Sequence, residues 1–170
     1  EPETAAIRDC MGQFPPSMAI SSHTYSNLWL FPWGYDTIYA PDDEILRHYA
    51  QMACEENGWQ YGTGWEVLYV ANGVAFDYSY GVHGALSYTP EIGGEQDGFW
   101  PNPNRIPALF DAVVPGYSQA ARFGGAAISA IEFLWEPVQG NGDEVKDPGE
   151  TWNLRLLLAN EGSQTGAGLV

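Results

Sequence analysis

Two periods of apolar residues alternate along the chain, and each predicts a different element. The opening has Pro2 and the acids Glu1 and Glu3 at its start, then Ala6, Ile7, Cys10 and Met11 on one face of a helix that Gly12 ends. After Pro15 and Pro16, residues 17–23 read as a short buried strand with a polar end, and 27–31 as a second apolar run closed by Pro32-Trp33-Gly34. His23 then falls between two core segments. Pro41, Asp42, Asp43 and Glu44 precede Ile45, Leu46, Tyr49, Met52 and Ala53 at helical spacing, which predicts about four turns running to Asn57-Gly58. Between Gly58 and Gly84 turn residues interleave with aromatics, the pattern of a long loop with its own packing. Residues 85–92 alternate like a strand, with Glu91 at its end. The Ala-rich, almost uncharged stretch 105–135 predicts helices buried on one side.

At Glu136-Pro137 the character changes to turns, followed by a strand-like run from Thr151 to Leu158. This predicts a boundary, with 1–135 as one domain and 136–170 as a linker and the start of a β-rich accessory module too short to be an independent sandwich. Oxygen-bearing residues between Asn141 and Glu150 are spaced like a calcium loop, but they lack the alternation and central Gly of an EF-hand and read as a plain turn.

Composition narrows the function classes. In 170 residues, 22 Asp and Glu stand against six Lys and Arg, a net charge of -16, which is the wrong sign for gripping phosphate backbones or anionic lipid. Nucleic-acid and membrane partners are therefore excluded as expectations. Because charged residues are only 16% of the chain, the acidity comes from missing Lys and Arg, a pattern that suits an extracellular or high-salt protein, and a secreted or extracellular location is expected. Cys10 and Cys54 allow at most one internal disulfide and have no metal-site spacing.

Single candidates are weak, since a lone His23, His48 or His83 is more often a hydrogen-bonded or surface residue than a ligand. Three ordered phrases are more specific. The first is Ser22-His23-Thr24-Tyr25-Ser26-Asn27-Leu28-Trp29-Leu30-Phe31-Pro32-Trp33-Gly34-Tyr35. The second runs from Leu68-Tyr69 to Phe76-Asp77-Tyr78-Ser79-Tyr80, and the third is Leu86-Ser87-Tyr88-Thr89-Pro90-Glu91-Ile92. In this order they resemble the zinc metallocarboxypeptidases of the carboxypeptidase A-like family, over about residues 1–135. The resemblance implies an α/β fold, here the C-terminal part of a mixed sheet with helices packed on it, with strands around 17–23, 27–31, 65–69 and 85–91. It also implies non-proline cis peptides at Thr24-Tyr25 and Pro32-Trp33.

Carried onto matching positions, the resemblance makes His23 a zinc ligand and Glu91 the general base and acid that deprotonates zinc-bound water and protonates the leaving amine. Tyr69 would ride a mobile loop over the substrate's terminal carboxylate, and Tyr25 and Thr89 would also bind substrate. Phe76 would floor the pocket for the C-terminal side chain, predicting a preference for apolar residues; the adjacent Asp77 could instead turn into that pocket. The family's other two zinc ligands lie on a His-x-x-Glu motif, which is missing here: the third residue after His23 is Ser26, after His48 Gln51 and after His83 Leu86. His83 is the one further internal candidate.

The chain thus reads as the C-terminal half of an exopeptidase domain, inactive alone and with weak or no zinc binding, whose partners are peptide or protein C-termini. A central strand left with an open edge would favour self-association. Two rival readings are an inactive relative kept as a protein-interaction domain and a carbohydrate-binding module using the chain's seven Trp and ten Tyr.

Overall fold

The computed structural model describes residues 1–126, 128–143 and 145–162. Its centre is a four-stranded mixed sheet in the order β1-β4-β2-β3, built from β1 (Met18–Ile20), β2 (Leu28–Phe31), β3 (Gln60–Thr63) and β4 (Leu86–Glu91). β4 runs parallel to β1 and antiparallel to β2, while β2 and β3 are parallel. Every residue of β2 and β4 is buried, as expected of central strands covered on both faces. The α/β architecture with a mixed sheet is as expected.

Helix α1 (Pro2–Gln13) forms where the pattern put it, but its apolar face packs on little: none of its residues is buried, and Ile7 is 64% exposed. Helix α2 (Asp43–Ala53) buries Leu46, Tyr49, Ala50 and Ala53, a stripe at 3.6-residue spacing, with Asp43 and Glu44 at its positive end. It stops short of the expected Asn57. Asn57 instead turns the chain outward, accepting from Trp59 N at 2.9 Å and donating to Ala112 O at 2.8 Å.

Residues 58–84 are not a loop but hold three elements: β3, helix α3 (Gly64–Val67) and helix α4 (Ala75–His83). The strand expected over 65–69 is displaced to 60–63, because Thr63 and Glu66 form a reciprocal capping box that starts a helix at Gly64. Helix α4 begins after the Asn72-Gly73 turn and closes at Gly84, which takes the left-handed conformation that a C-terminal cap requires.

The helical prediction for 105–135 holds only in part. Helix α5 (Ile106–Phe123) ends at Gly124-Gly125, and the chain then enters β5 (Ile128–Gln139), paired antiparallel with β6 (Thr151–Asn160). Ile128, Ile131, Phe133, Trp135 and Val138 punctuate this segment, and β-branched and aromatic residues prefer a strand once the glycines have broken the helix. The compositional change at Glu136 thus falls inside a strand. Register puts Phe133 and Trp135 beside Leu156 and Leu154 on one face of the hairpin, and Glu132 and Glu136 beside Leu157 and Asn153 on the other. Of the expected accessory segment, Glu144 and 163–170 lie outside the described residues.

The core lies between the sheet and helices α2 and α5, centred on Trp29, Phe31, Leu46, Tyr88, Val113 and Phe123. Tyr49 and Phe123 stack with centroids 4.3 Å apart. Helix α5 approaches Trp29 through Gly116, where an added Cβ would lie 2.8 Å from the indole Cζ3. This packing holds β2 and β4 rigid beneath the loops that carry the candidate site. Among the described residues, no helix is long and apolar enough to cross a membrane.

Candidate functional site

The chain leaves β1 at Ile20 and touches β4 once more before turning away. His23 N donates to Pro90 O at 3.0 Å and Ile92 N donates to His23 O at 2.9 Å, an isolated parallel bridge that fixes His23 opposite Glu91. The two side chains meet with His23 Nδ1 3.8 Å from Glu91 Oε1. The imidazole side chain is 55% exposed and the carboxylate only 10%. Burial raises the pKa of Glu91 above its ordinary value, and His23 opposes that shift. A carboxylate held at a strand end, shielded from water and beside an accessible imidazole, is suited to exchanging a proton.

Behind this pair lies a cavity of about 140 Å³ whose walls include Leu30, Phe76 and Thr89, with Tyr69 at its rim. Larger hollows, of about 320, 350, 450 and 710 Å³, lie elsewhere and contain neither His23 nor Glu91. Phe76 is 4% exposed and packs with Leu28, Leu30, Val67 and Val74, so the cavity's base is apolar. Asp77 does not turn into it. Its two carboxylate oxygens accept from Gly34 N at 2.9 Å and Tyr35 N at 3.0 Å. Tyr69 is 64% exposed, on a loop tied down by Ala71 N donating to Gly34 O at 2.8 Å.

Of the six site residues read from the sequence, His23, Tyr69, Phe76, Thr89 and Glu91 share this cavity. Tyr25 does not line it; its ring packs edge-on against Phe99, centroids 5.0 Å apart, on the loop that follows β4. That loop is pinned where Asp97 receives Arg105 Nε at 2.7 Å and Gly94 N at 3.0 Å. His83 faces Tyr78 in the last turn of α4, not the cavity. The peptide bonds Thr24-Tyr25 and Pro32-Trp33 are cis, as the resemblance implied.

Reading residues in order passed over Gly34 and Gly64, which line the cavity because a side chain there would collide. A Cβ on Gly34 would sit 2.8 Å from Phe76 Cζ, and one on Gly64 3.2 Å from Tyr69 O. It also passed over Phe99, although an aromatic in a Gly-rich segment just after Glu91 was a usable signal.

Residues 1–113 match the family model of the zinc carboxypeptidases. The chain belongs to that family. Zinc carboxypeptidase A 1 of Anopheles gambiae is 32% identical over 97 residues, which are 51% of this chain and 22% of that protein. Carboxypeptidase A1 of Bos taurus is 35% identical over 79 residues, 43% of this chain and 19% of that one. Among solved structures, bovine thrombin-activatable fibrinolysis inhibitor in complex with tick carboxypeptidase inhibitor aligns with a TM-score of 0.68 and 25% identity, covering 73% of this chain and 45% of that chain. The carboxypeptidase A of Helicoverpa armigera aligns at 0.63 and 26% identity, covering 72% and 34%. The chain therefore spans about a fifth of the curated relatives it matches.

The family name implies zinc, and His23 has the residue type and the exposure of a ligand. Among the described residues, however, no three His, Cys, Asp or Glu side chains gather into a group able to hold a metal ion. A catalytic zinc takes about three protein ligands. At the mouth of the cavity the chain presents the His23 imidazole, with Glu91 beside it.

Proposed function

We propose that the whole protein is a zinc-dependent exopeptidase that hydrolyses the C-terminal peptide bond of peptides or proteins and prefers apolar C-terminal residues. The observation that carries this reading is the His23–Glu91 pair at the mouth of an apolar cavity, in a chain of the zinc carboxypeptidase family. His23 would be one ligand of the metal, which when bound polarises the scissile carbonyl. Glu91 takes the proton from the attacking water and returns it to the leaving amine; its burial keeps its basicity above that of a surface carboxylate. Phe76 and Leu30 receive the C-terminal side chain, Thr89 lines the wall, and Tyr69 closes over the terminal carboxylate from the rim. Tyr25, packed on Phe99, contacts the substrate on the other side of the scissile bond.

An extracellular setting belongs to the same reading, supported by the scarcity of Lys and Arg. So does self-association of the isolated chain through β1, which is an edge of the sheet among the described residues. The second reading is a catalytically inactive relative, which a whole protein without an upstream His-x-x-Glu motif would favour. Incubating the whole protein, loaded with zinc, with matched peptides ending in Leu, Phe, Lys or Glu separates the two. Loss of single C-terminal residues, fastest from the Leu or Phe peptide, supports the exopeptidase; intact peptides support the inactive relative.

A further inference from the structure

The wall of the cavity opposite Phe76 is a turn, residues 32–35, and the side chain that holds its backbone amides comes from the helix that carries Phe76. Asp77, in the first turn of α4, accepts Gly34 N on one carboxylate oxygen and Tyr35 N on the other, at 2.9 and 3.0 Å. Two acceptors on one planar group fix both the distance and the tilt of the turn, which a single hydrogen bond cannot do. Gly34 is where the constraints cross. Its N–H is held by Asp77, its carbonyl accepts from Ala71 N at 2.8 Å in the Tyr69 loop, and its Cα faces Phe76 so closely that a Cβ would lie 2.8 Å from the ring. One carboxylate outside the cavity therefore sets the gap between floor and wall, and through Ala71 the height of the rim.

We propose that Asp77 is a positioning residue that fixes the separation of Gly34 from Phe76, and so the size of C-terminal side chain the cavity accepts, without itself touching the occupant. This rests on the reading that the cavity receives the substrate's C-terminal side chain. Asp77 is partly buried, and burial raises its pKa even though both amides lower it, so the carboxylate is retained at some cost in solvation. Arg8 of α1, with Tyr35 and Tyr78, borders the hollow on its outer side; Arg8 is paired with Asp9 at 2.7 Å and is not its counter-ion.

The test compares Asp77→Asn with Ser79→Ala in the zinc-loaded whole protein. Asn keeps one acceptor but turns an NH₂ toward the other amide. Ser79 Oγ donates to Ala75 O within the same helix, so its loss weakens α4 without freeing the turn. With D77N, KM for a Leu-ending peptide is expected to rise about tenfold while kcat stays within about twofold, and the Phe-to-Leu ratio of kcat/KM is expected to shift by about fivefold or more. With S79A, the melting temperature falls but KM and the ratio hold. If D77N lowers the melting temperature and leaves both KM and the ratio unchanged, Asp77 is merely structural and the proposal is overturned. If the wild-type protein trims no peptide, the functional reading fails separately, and hydrogen exchange then decides the clamp. Exchange at Gly34 and Tyr35 accelerated about tenfold or more by D77N, with Trp29 and Leu30 unchanged, supports it; unchanged exchange at Gly34 and Tyr35 overturns it.

Discussion

Gly116 of helix α5 rests against the indole of Trp29, so closely that a methyl group in place of its hydrogen would lie 2.8 Å from Cζ3 and 3.0 Å from the Ala53 carbonyl. Trp29 is 1% exposed in the strand that ends beneath the candidate site, so this contact seats the helix layer on the sheet. Neither the indole nor the backbone carbonyl can retreat without disturbing α2. Gly116→Ala is expected to destabilise the fold by about 1–3 kcal/mol, the overpacking cost exceeding the gain in helix propensity. A shift of the urea midpoint to lower concentration checks this; a shift to higher concentration contradicts it.

The two cysteines differ in environment and should differ in reactivity. Cys10 is exposed on α1, whereas Cys54 is buried at the end of α2, where burial pushes its thiol pKa up to about 12. At neutral pH a thiol reagent is expected to label one cysteine at once and the second only when the protein is unfolded. Mass spectrometry of the labelled peptides identifies each site, and rapid labelling of native Cys54 would contradict the packing of α2.

Acid should weaken the loop after β4. The Arg105 hydrogen bond, followed by the Gly94 amide, holds the Asp97 carboxyl below the ordinary carboxylate range. A carboxyl with a lowered folded-state pKa adds stability above its unfolded value, and that stability is lost as the pH falls through the folded value. Asp97→Asn is therefore expected to melt at a lower temperature than wild type at pH 7, with the difference shrinking below about pH 4. A difference that is constant with pH would show that the charge on Asp97 is not what matters.

Phe76 should decide the chemistry of the accepted side chain. Lys or Arg placed against a ring that is 4% exposed would lose hydration without a partner. With Asp77 held by the Gly34 and Tyr35 amides, no carboxylate of α4 is free to compensate. Phe76→Asp in the whole protein is expected to shift preference toward Lys-ending peptides by at least about tenfold, measured as the ratio of kcat/KM for Lys to Leu peptides. An unchanged ratio would remove Phe76 from the floor of the pocket.

Features with local causes were the ones legible in the sequence. His23 and Glu91 sit in continuous phrases beside strand ends and Tyr69 in one that follows α3, and strands 28–31 and 86–91 show their buried runs directly. The strand that the resemblance implied at 65–69 lies at 60–63 instead, because a local capping box between Thr63 and Glu66 starts a helix at Gly64. The helix expected to reach residue 135 failed because Gly124-Gly125 stops it and a partner strand, Thr151–Asn160, recruits the next segment. Gly34 facing Phe76, and Asp77 holding the turn, depend on contacts between residues far apart in the chain and leave no periodic trace.

The central claim is that Glu91, fixed beside His23 by the bridge through Pro90 and Ile92, is the proton-transferring group of a C-terminal exopeptidase. The most direct measurement follows release of the C-terminal residue from a Leu-ending peptide by the zinc-loaded whole protein, wild type against Glu91→Gln. Gln keeps the shape and burial of the side chain but cannot accept the proton. The account predicts one-residue trimming by wild type and a fall in kcat of about 10²–10⁴-fold in the variant, with KM little changed. Trimming by Glu91→Gln at the wild-type rate would contradict it.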